Sequence, residues 1–533
     1  GGVVVADDNA AIGGNGTEGD DYGDTSISIS GGTVIGRIEA DGYIACGIYH
    51  PQRGKLSIAG GTVYADGGVG ILMRGGTLEM TDGAVIASGT ASGKVGDSAI
   101  VQNCYGVHID GASGYYDGAN SKATVSGGLV EADAGVPALN LAAPGTMTVR
   151  GGTFSSDVTA YLETGRIVTE NADGMYVVEN DQVATVTKPN GTSVMYDTLS
   201  TAVIKARNGD VVTLHKDVPA GNVKYEIGYS IVLDLNGHSI DGSKSATVSV
   251  NKYQGPINVI VKNGTILNST DGTGEFPFGT AIQVRQDVDL TLENVVVDTS
   301  SVASGVPSYG VRVGLGTNDS RNPRVTIKGD STHIKGPDAG IAVIGSNASA
   351  PSSLTVEDGV IEGNSFGIVG NGDCDGTSIA IKGGIVRSTD ADGCAVYHPQ
   401  NGDLTISEGT LTGANGVQFC GEGKLAIEGG SIEATASTIE TPDTTKTGSS
   451  IPDGAALSLV SRGGGYGASG TVEVGISGGT LTSKNNAAIQ EYAAADADSL
   501  VKSLSIGQAE GATLRVSGGV GKLAVSLAAL SGD

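Results

Sequence analysis

Residues 56–63 read Leu56-Ser57-Ile58-Ala59-Gly60-Gly61-Thr62-Val63, and this pattern decides the fold. Two apolar residues alternate with small ones, a glycine pair follows, and another apolar step closes the motif. The alternation predicts a short strand with one buried face. The glycine pair predicts a sharp corner, because glycine adopts positive φ without steric cost.

The same motif recurs along the chain, at intervals typical of a stacked repeat protein. In the first half its copies begin at Ile27, Leu56, Leu78, Thr124 and Met147. In the second half they begin at Leu233, Val259, Leu290, Val325, Leu354, Ile379, Leu404, Leu425 and Val474. The last interval is about twice the others, and we interpret Leu457-Ser458-Leu459 as a candidate for the missing strand.

This ladder predicts an all-β fold, a right-handed parallel β-helix solenoid in which each coil supplies short strands that pair with the next coil. One coil cannot bury its apolar side alone, so the coils must stack. The steps lack the repeated asparagine and the helical stretch of leucine-rich repeats. The motif also repeats in register, which argues against a sandwich, while a set of antiparallel hairpins stays open as an alternative.

A longer repeat lies over the short one and predicts two tandem units. Cys46-Gly47-Ile48-Tyr49-His50-Pro51-Gln52 matches Cys394-Ala395-Val396-Tyr397-His398-Pro399-Gln400. We assign residues 1–187 to the C-terminal part of a first β-helix unit. Residues 188–230 form a linker and an N-terminal cap, and residues 231–533 form the second unit.

A short helix is predicted at the start of the second unit. Residues 197–206 carry apolar side chains at helical spacing, with Asp197 as the expected N-cap. Such a helix would cover the open apolar end of the stack, and solenoids need caps of this kind to stay soluble.

The composition excludes some partners. Glycine accounts for 88 residues, and Lys plus Arg total 31 against 58 Asp plus Glu, giving a formal charge of -27. A nucleic-acid partner is therefore not expected. The sequence has no run of 18 apolar residues, so no membrane span is predicted in this segment. The pattern is already under way at Gly1, and we expect neighbouring repeats of a longer chain as partners.

Two stretches resemble a known family. The cap followed by residues 231–240 is similar to the start of pectate-lyase-like right-handed β-helices. The Gly-Gly-Thr ladder, with Gly151-Gly152-Thr153-Phe154-Ser155-Ser156-Asp157 as terminator, resembles the repeats of large Gly-rich bacterial surface proteins. The resemblance implies a secreted or cell-surface location, and it says little about activity because this fold hosts many activities.

The Tyr-His-Pro-Gln tetrads are the most distinctive polar elements. We select Tyr49, His50 and Gln52, and in the second copy Tyr397, His398 and Gln400, as candidate ligand-binding residues. In that interpretation tyrosine stacks on a ligand while histidine and glutamine hydrogen-bond to it. The alternative is a structural corner in which proline sets φ and a following glycine completes the turn.

Signals for catalysis and metal binding are weaker, and no catalytic residue or metal ligand is assigned. Residues 321–324 (Arg-Asn-Pro-Arg) and 19–21 (Gly-Asp-Asp) resemble fragments of pectate-lyase-like and polygalacturonase-like motifs, without their companion residues. The Asp-rich turns at 373–376 and 390–393 leave Ca²⁺ binding open as an alternative, although neither completes an EF-hand loop. Tyr105, Tyr115 and Tyr116 form a candidate aromatic patch.

The predicted function follows from these features. We expect a non-enzymatic extracellular or cell-surface repeat module, a stalk or adhesin whose loops contact a host or microbial glycan or protein. The alternative is a polysaccharide lyase or glycoside hydrolase built on a β-helix scaffold, which rests on analogy of fold alone.

Overall fold

The computed structural model describes residues 1–14, 25–39, 45–89, 103–110, 121–221, 223–251, 256–272, 278–314, 322–345, 351–371, 376–445, 450–462, 472–493 and 499–527. The chain divides into two compact units, Gly1–Asp181 and Gln182–Asp533. In the described residues, no helix combines the length and apolar character that a membrane crossing requires.

The first unit consists of strands and one short 3-10 helix, Thr159–Tyr161, among its described residues. Its strands are β1 (Val3–Asp7), β2 (Ala10–Gly13), β3 (Thr25–Arg37), β4 (Ala45–His50), β5 (Gly54–Asp66), β6 (Gly68–Met73), β7 (Thr77–Ser88), β8 (Val107–Ile109), β9 (Lys122–Val125), β10 (Leu129–Glu131), β11 (Leu139–Leu141), β12 (Thr146–Val149), β13 (Gly152–Phe154), β14 (Arg166–Glu170) and β15 (Tyr176–Asn180).

These strands form two sheets, and the chain passes alternately from one to the other. The first sheet runs β1-β3-β5-β7 and continues through β9, β10, β12 and β13 to β15 and β14. The second sheet runs β2-β4-β6-β8-β11. From β1 to β13 the pairing is parallel, and Leu56 lies between Ile27 and Leu78. The predicted copies of the motif are therefore direct neighbours across the first sheet.

The second unit begins with β16 (Ala184–Thr187), β17 (Ser193–Tyr196) and the helix α1 (Leu199–Lys205). Its remaining strands are β18 (Val211–Leu214), β19 (Val218–Gly221), β20 (Tyr225–Ile227), β21 (Val232–Asp234), β22 (Ser239–Gly242), β23 (Ala246–Val250), β24 (Ile257–Asn268), β25 (Gly279–Val284), β26 (Val288–Asp298), β27 (Ser308–Val313), β28 (Arg324–Lys328), β29 (His333–Gly336), β30 (Ala339–Val343), β31 (Ser352–Val356), β32 (Val360–Gly363), β33 (Phe366–Gly370), β34 (Thr377–Ser388), β35 (Cys394–His398), β36 (Gly402–Gly413), β37 (Asn415–Phe419), β38 (Gly423–Ile427), β39 (Ser431–Ala434), β40 (Leu457–Val460), β41 (Val472–Ile476), β42 (Gly479–Ser483), β43 (Ile489–Tyr492), β44 (Val501–Ile506), β45 (Leu514–Ser517) and β46 (Val525–Ser526).

The second unit also has two sheets. The second sheet is 11-stranded, in the order β20-β23-β25-β27-β30-β33-β35-β37-β40-β43-β46, and the other described strands form a 20-stranded first sheet. Along the first sheet the predicted starts from Val259 to Val474 pair directly, each with the next. The prediction of an all-β chain with parallel sheets is confirmed.

The interpretation of Leu457–Leu459 as a missing step of that ladder is wrong. Leu425 pairs directly with Val474 in the first sheet, so no strand lies between them. Leu457 pairs instead with Val417 in the second sheet, within β40. Between Leu425 and Val474 the chain therefore visits the second sheet once, at β40, and the interval is long because the connections on the way are long.

The start of the second unit differs from the prediction in two details. Strand β16, predicted to end the first unit, pairs antiparallel with β17 and β18 of the second unit. The helix N-cap is Thr198 and not Asp197, because Thr198 has extended backbone angles and its side chain accepts the Thr201 amide at 3.1 Å. The helix buries Leu199, Ala202 and Val203 against the first strands.

Each unit has its own core between its two sheets. In both, the inward positions carry Val, Ile and Leu side chains that are fully or nearly fully buried. At the end of the first unit, β15 pairs antiparallel with β13 and β14. Antiparallel pairs therefore end the parallel ladder of the first unit and begin that of the second.

Candidate functional site

The two tetrads lie at the C-terminal ends of equivalent strands in the second sheets, β4 and β35. Strand alternation turns the tyrosine outward and the histidine inward. His50 is the register partner of Met73, a core residue, and His398 is the partner of Phe419. The alternation from Ile48 along the strand predicts these faces.

His398 is fully buried in the second unit. Its ring stacks on Phe419 with centroids 4.5 Å apart and an interplanar angle of 4°. Its Nε2 atom lies 3.3 Å from the Thr377 hydroxyl. Burial lowers the pKa of His398 to about 4, so the imidazole is neutral at pH 7.

His50 is also fully buried, in the first unit, but its hydrogen-bond partner differs from that of His398. Its Nδ1 atom donates to the Gly75 carbonyl oxygen at 3.1 Å, and burial lowers its pKa. Gln400 donates from Nε2 to the Thr377 hydroxyl oxygen at 3.1 Å.

The two glutamine side chains are packed against a glycine. A Cβ atom on Gly14 would lie 1.7 Å from Oε1 of Gln52, and one on Gly370 would lie 1.6 Å from Oε1 of Gln400. The same contact therefore holds the glutamine of each tetrad at the end of its strand.

Exposure separates the six predicted residues. His50, His398 and Gln400 have no exposed surface, and Gln52 and Tyr397 are each 5% exposed. Only Tyr49 keeps a partly exposed side chain. The ligand-binding role of the six residues stays a prediction, and the geometry gives Tyr49 the best access to solvent.

Tyr49 belongs to a row of side chains on the outer face of the second sheet of the first unit. Its register neighbours along that row are Leu72, His108 and Asn140. The ring of Tyr105 stacks on His108 at 5.2 Å. Asn140 donates from Nδ2 to Nδ1 of His108 at 2.7 Å, which places the ring proton of the neutral imidazole on Nε2.

A buried ion pair adjoins this row. Arg74 donates to Oδ2 of Asp110 from Nε at 2.7 Å and from Nη2 at 2.6 Å. Burial lowers the pKa of His108, although the Asp110 charge acts in the opposite direction. At pH 7 the row contains a phenol, a neutral imidazole and an amide, a set that can stack and hydrogen-bond but carries no free charge. His108 is only 4% exposed, so Tyr49, Tyr105 and Asn140 are the polar members with partly exposed side chains.

The corresponding face of the second unit is more apolar. Tyr397 stacks on Phe366 with centroids 5.6 Å apart. Both rings pack in a cluster with the buried side chains of Cys394, Cys420 and Val460. Burial raises the pKa of the Cys420 thiol to about 11, so the thiol is protonated at pH 7.

A buried carboxylate lies beside that cluster. The Ser458 hydroxyl lies 2.8 and 2.7 Å from the two carboxylate oxygens of Asp453 and donates its one proton to them, and the Tyr492 hydroxyl donates to the same carboxylate. Burial raises the pKa of Asp453 to about 6 in spite of these bonds. Asn486 donates to the Asp453 carbonyl at 2.7 Å, and Asn415 accepts the Gly454 amide at 2.8 Å. This segment is therefore fastened over the outer face of β37 and β40.

Two cavities lie elsewhere in the second unit. One, of about 420 Å³, lies between α1 and β20 and is lined by Ser200, Val203, Ile204, Val223, Lys224, Tyr225, Glu226, Gly228 and Tyr229. The other, of about 310 Å³, includes Asp338 and Asp390 in its lining. Asp338 accepts the Ser308 amide at 2.6 Å. Calcium binding at the turn 390–393 stays a prediction.

The other motifs from the sequence contribute no assembled site within the described residues. Residues 19–21 and 373–375, together with Arg321, Tyr115 and Tyr116, lie outside the described ranges. Arg324 forms a two-point ion pair with Asp289 on the first sheet. No group of three or more His, Cys, Asp or Glu side chains that could hold a metal occurs in the described part of the chain.

Comparisons with protein-family models, with curated proteins and with solved structures found no match to this chain. The candidate site therefore rests on geometry alone. The residues that the sequence did not single out, His108, Asn140 and Asp453, carry no local motif. Strand register brings His108 and Asn140 to the row of Tyr49, and the connection before β40 carries Asp453, so neither placement can be found without the pairing of all the strands.

Proposed function

We propose that this chain is a non-enzymatic binding module of an extracellular or cell-surface protein, folded as two tandem right-handed parallel β-helices. Alternate passes between two parallel sheets support the β-helix, and the usual hand of parallel crossovers supports the right-handed form. The resemblance to Gly-rich bacterial surface repeats supports the location.

The length of the second unit supports a role as a stalk. Within the described ranges its second sheet contains 11 strands. At about 4.8 Å per strand, that ladder extends for roughly 50 Å. Since each coil contacts mainly its neighbours, such a ladder can hold a binding face away from an anchoring point without a large globular core.

The observation that carries the binding function is the row of Tyr49, His108 and Asn140, with Tyr105 stacked on His108. Aromatic rings flanked by neutral hydrogen-bonding groups suit a flat ligand that has an apolar face and polar edges. We therefore propose a glycan as the ligand, since a sugar ring has both features.

Glycan and protein arrays probed with the whole chain test this function. We expect glycan binding that weakens in Tyr49→Ala and Tyr105→Ala. Tyr64→Ala is the matched control, because Tyr64 is a half-buried tyrosine of the first sheet whose hydroxyl lies 3.1 Å from that of Ser88. It should leave binding unchanged.

Two results would overturn the proposal. One is binding to proteins alone, or to nothing on either array. The other is release of shortened or unsaturated products from a polysaccharide, which would establish the lyase or hydrolase alternative.

A further inference from the structure

A patch of polar side chains with unsatisfied buried atoms lies on the outer face of the second sheet of the second unit, toward its N-terminal end. Among the described residues, Oγ of Ser249, Oδ1 of Asn251 and Nε of Arg285 are buried without a hydrogen-bond partner. Ser249 is only 1% exposed. Buried polar atoms in native proteins are nearly always satisfied, so a concentration of such atoms calls for a missing partner.

Strand register places these residues side by side. Ser249 of β23 pairs with Gln283 of β25, which pairs with Arg312 of β27. Asn251 and Arg285 follow in the next outward row, because Val250 pairs with Val284 and both face the core. Neighbouring strands are about 4.8 Å apart, so the Cα atoms of Arg285 and Arg312 are separated by roughly 8 Å along the diagonal.

Two contacts fix the patch. The guanidinium of Arg312 lies over the ring of Phe278, 5.1 Å from its centroid. Gln283, which is 5% exposed, donates from Nε2 to the carbonyl oxygens of Arg312 and Gly314, each at 3.1 Å. The backbone between the two arginines is therefore held in place, and the cation–π contact restricts the Arg312 side chain.

The patch contains two arginines in a chain that is acidic. Two arginines meet on one face of a protein whose formal charge is -27. The carboxylates that follow Arg285 in sequence, Asp287 and Asp289, act on Arg324, which binds Asp289 on the first sheet. Guanidinium and hydroxyl groups at neighbouring positions of one sheet face are donors suited to an oxyanion.

We propose that Ser249, Arg285 and Arg312 form a binding site for an oxyanion group, a sulfate or a carboxylate. The guanidinium of Arg285 and the hydroxyl of Ser249 donate to the oxygen atoms, and Arg312 supplies a second positive charge. The site goes beyond the proposed function, because it shares no residue with the tyrosine row of the first unit.

Calorimetric titration of the whole chain with sodium sulfate, sodium acetate and a sulfated oligosaccharide, at constant ionic strength in chloride, tests the site. We expect saturable binding of at least one of them. Arg285→Gln should weaken it about tenfold or more, since a hydrogen bond to a charged group contributes about 1.5–3 kcal/mol. Arg324→Gln is the control and should bind as the wild type does, because Arg324 is on the other sheet.

The titrations distinguish a bound glycan, a bound free anion and the absence of a site. Tighter binding of the oligosaccharide than of sulfate assigns the oxyanion to a glycan, and equal binding assigns a free anion; both support the site. Absence of saturable binding by the wild type, or equal binding by Arg285→Gln, overturns it. Arg285→Lys keeps the charge and checks that loss of binding does not come from misfolding, because it should retain part of the affinity. Absence of oxyanion binding in the titration would leave the array test of the Tyr49 row unaffected, because the two sites share no residue.

Discussion

Replacing Asp453 by asparagine tests the effect of a buried carboxyl group on the stability of the second unit. Burial raises the pKa of this carboxyl from 3.8 to about 6. At about 1.36 kcal/mol per pKa unit, ionisation in the folded state costs roughly 3 kcal/mol. Because the folded pKa lies above the unfolded value, the stability that this group contributes is fully present below pH 4. It is lost as the pH rises through 6.

His398 has the opposite dependence in the same unit. Its pKa falls from 6.5 to about 4, so its contribution is present above pH 6.5 and is lost as the pH falls toward 4. The magnitude is again roughly 3 kcal/mol. In the wild type the pH dependences that Asp453 and His398 give to the free energy of unfolding therefore nearly cancel between pH 4 and pH 6.5. Replacing one of the two residues leaves the pH dependence due to the other.

The assay is amide hydrogen exchange of β40, corrected for the intrinsic effect of pH. In Asp453→Asn the amides of β40 should be protected as in the wild type at pH 4. At pH 7 the free energy of unfolding of the variant should exceed that of the wild type by about 3 kcal/mol. Asp443→Asn, an exposed carboxylate on the same connection, is the control and should show no such trend. A difference between Asp453→Asn and wild type that is the same at both pH values would refute the argument.

Three further predictions concern packing and burial. Phe419→Ala removes a fully buried ring that stacks on His398 and should cost about 3–5 kcal/mol in urea unfolding of the second unit; a loss under 1 kcal/mol would contradict this. Gly363→Ala places a Cβ atom 1.8 Å from the Phe366 carbonyl oxygen and should cost roughly 1–3 kcal/mol, seen as a lower melting temperature; an unchanged melting temperature would count against it. Burial raises the pKa of the Cys46 thiol to about 12, so this thiol should resist alkylation until the chain is denatured. Peptide mass mapping after brief labelling of the native protein measures this, and a labelled Cys46 would contradict the prediction.

The sequence predicts strands and their partners well where the motif repeats without a long interruption. From Val259 to Leu425 the apolar alternation alone identifies the paired positions, because the same strand pattern recurs on successive strands of the first sheet. The error at Leu457 has a physical cause. An alternating pattern marks a strand but does not say which of two sheets it joins, and that depends on the length of the preceding connection.

The candidate site was less accessible to prediction. Alternation along β4 could have shown that His50 faces inward and Tyr49 outward, because Ile48 faces the core. The partners His108 and Asn140 could not be found this way, since they reach Tyr49 only through the register of three further strands. Thr198 replaced Asp197 as N-cap for a local reason, the backbone angles of one residue, which composition does not fix.

The long connection between Leu425 and Val474 shows what an insertion costs this molecule. Both residues keep their register in the ladder, although the interval between them is about twice the usual one. Doubling the length of a flexible loop costs only about 0.6 kcal/mol of closure entropy. Evolution can therefore lengthen a connection at a corner, and add a segment such as the one that carries Asp453, at a cost smaller than that of most single substitutions in the core.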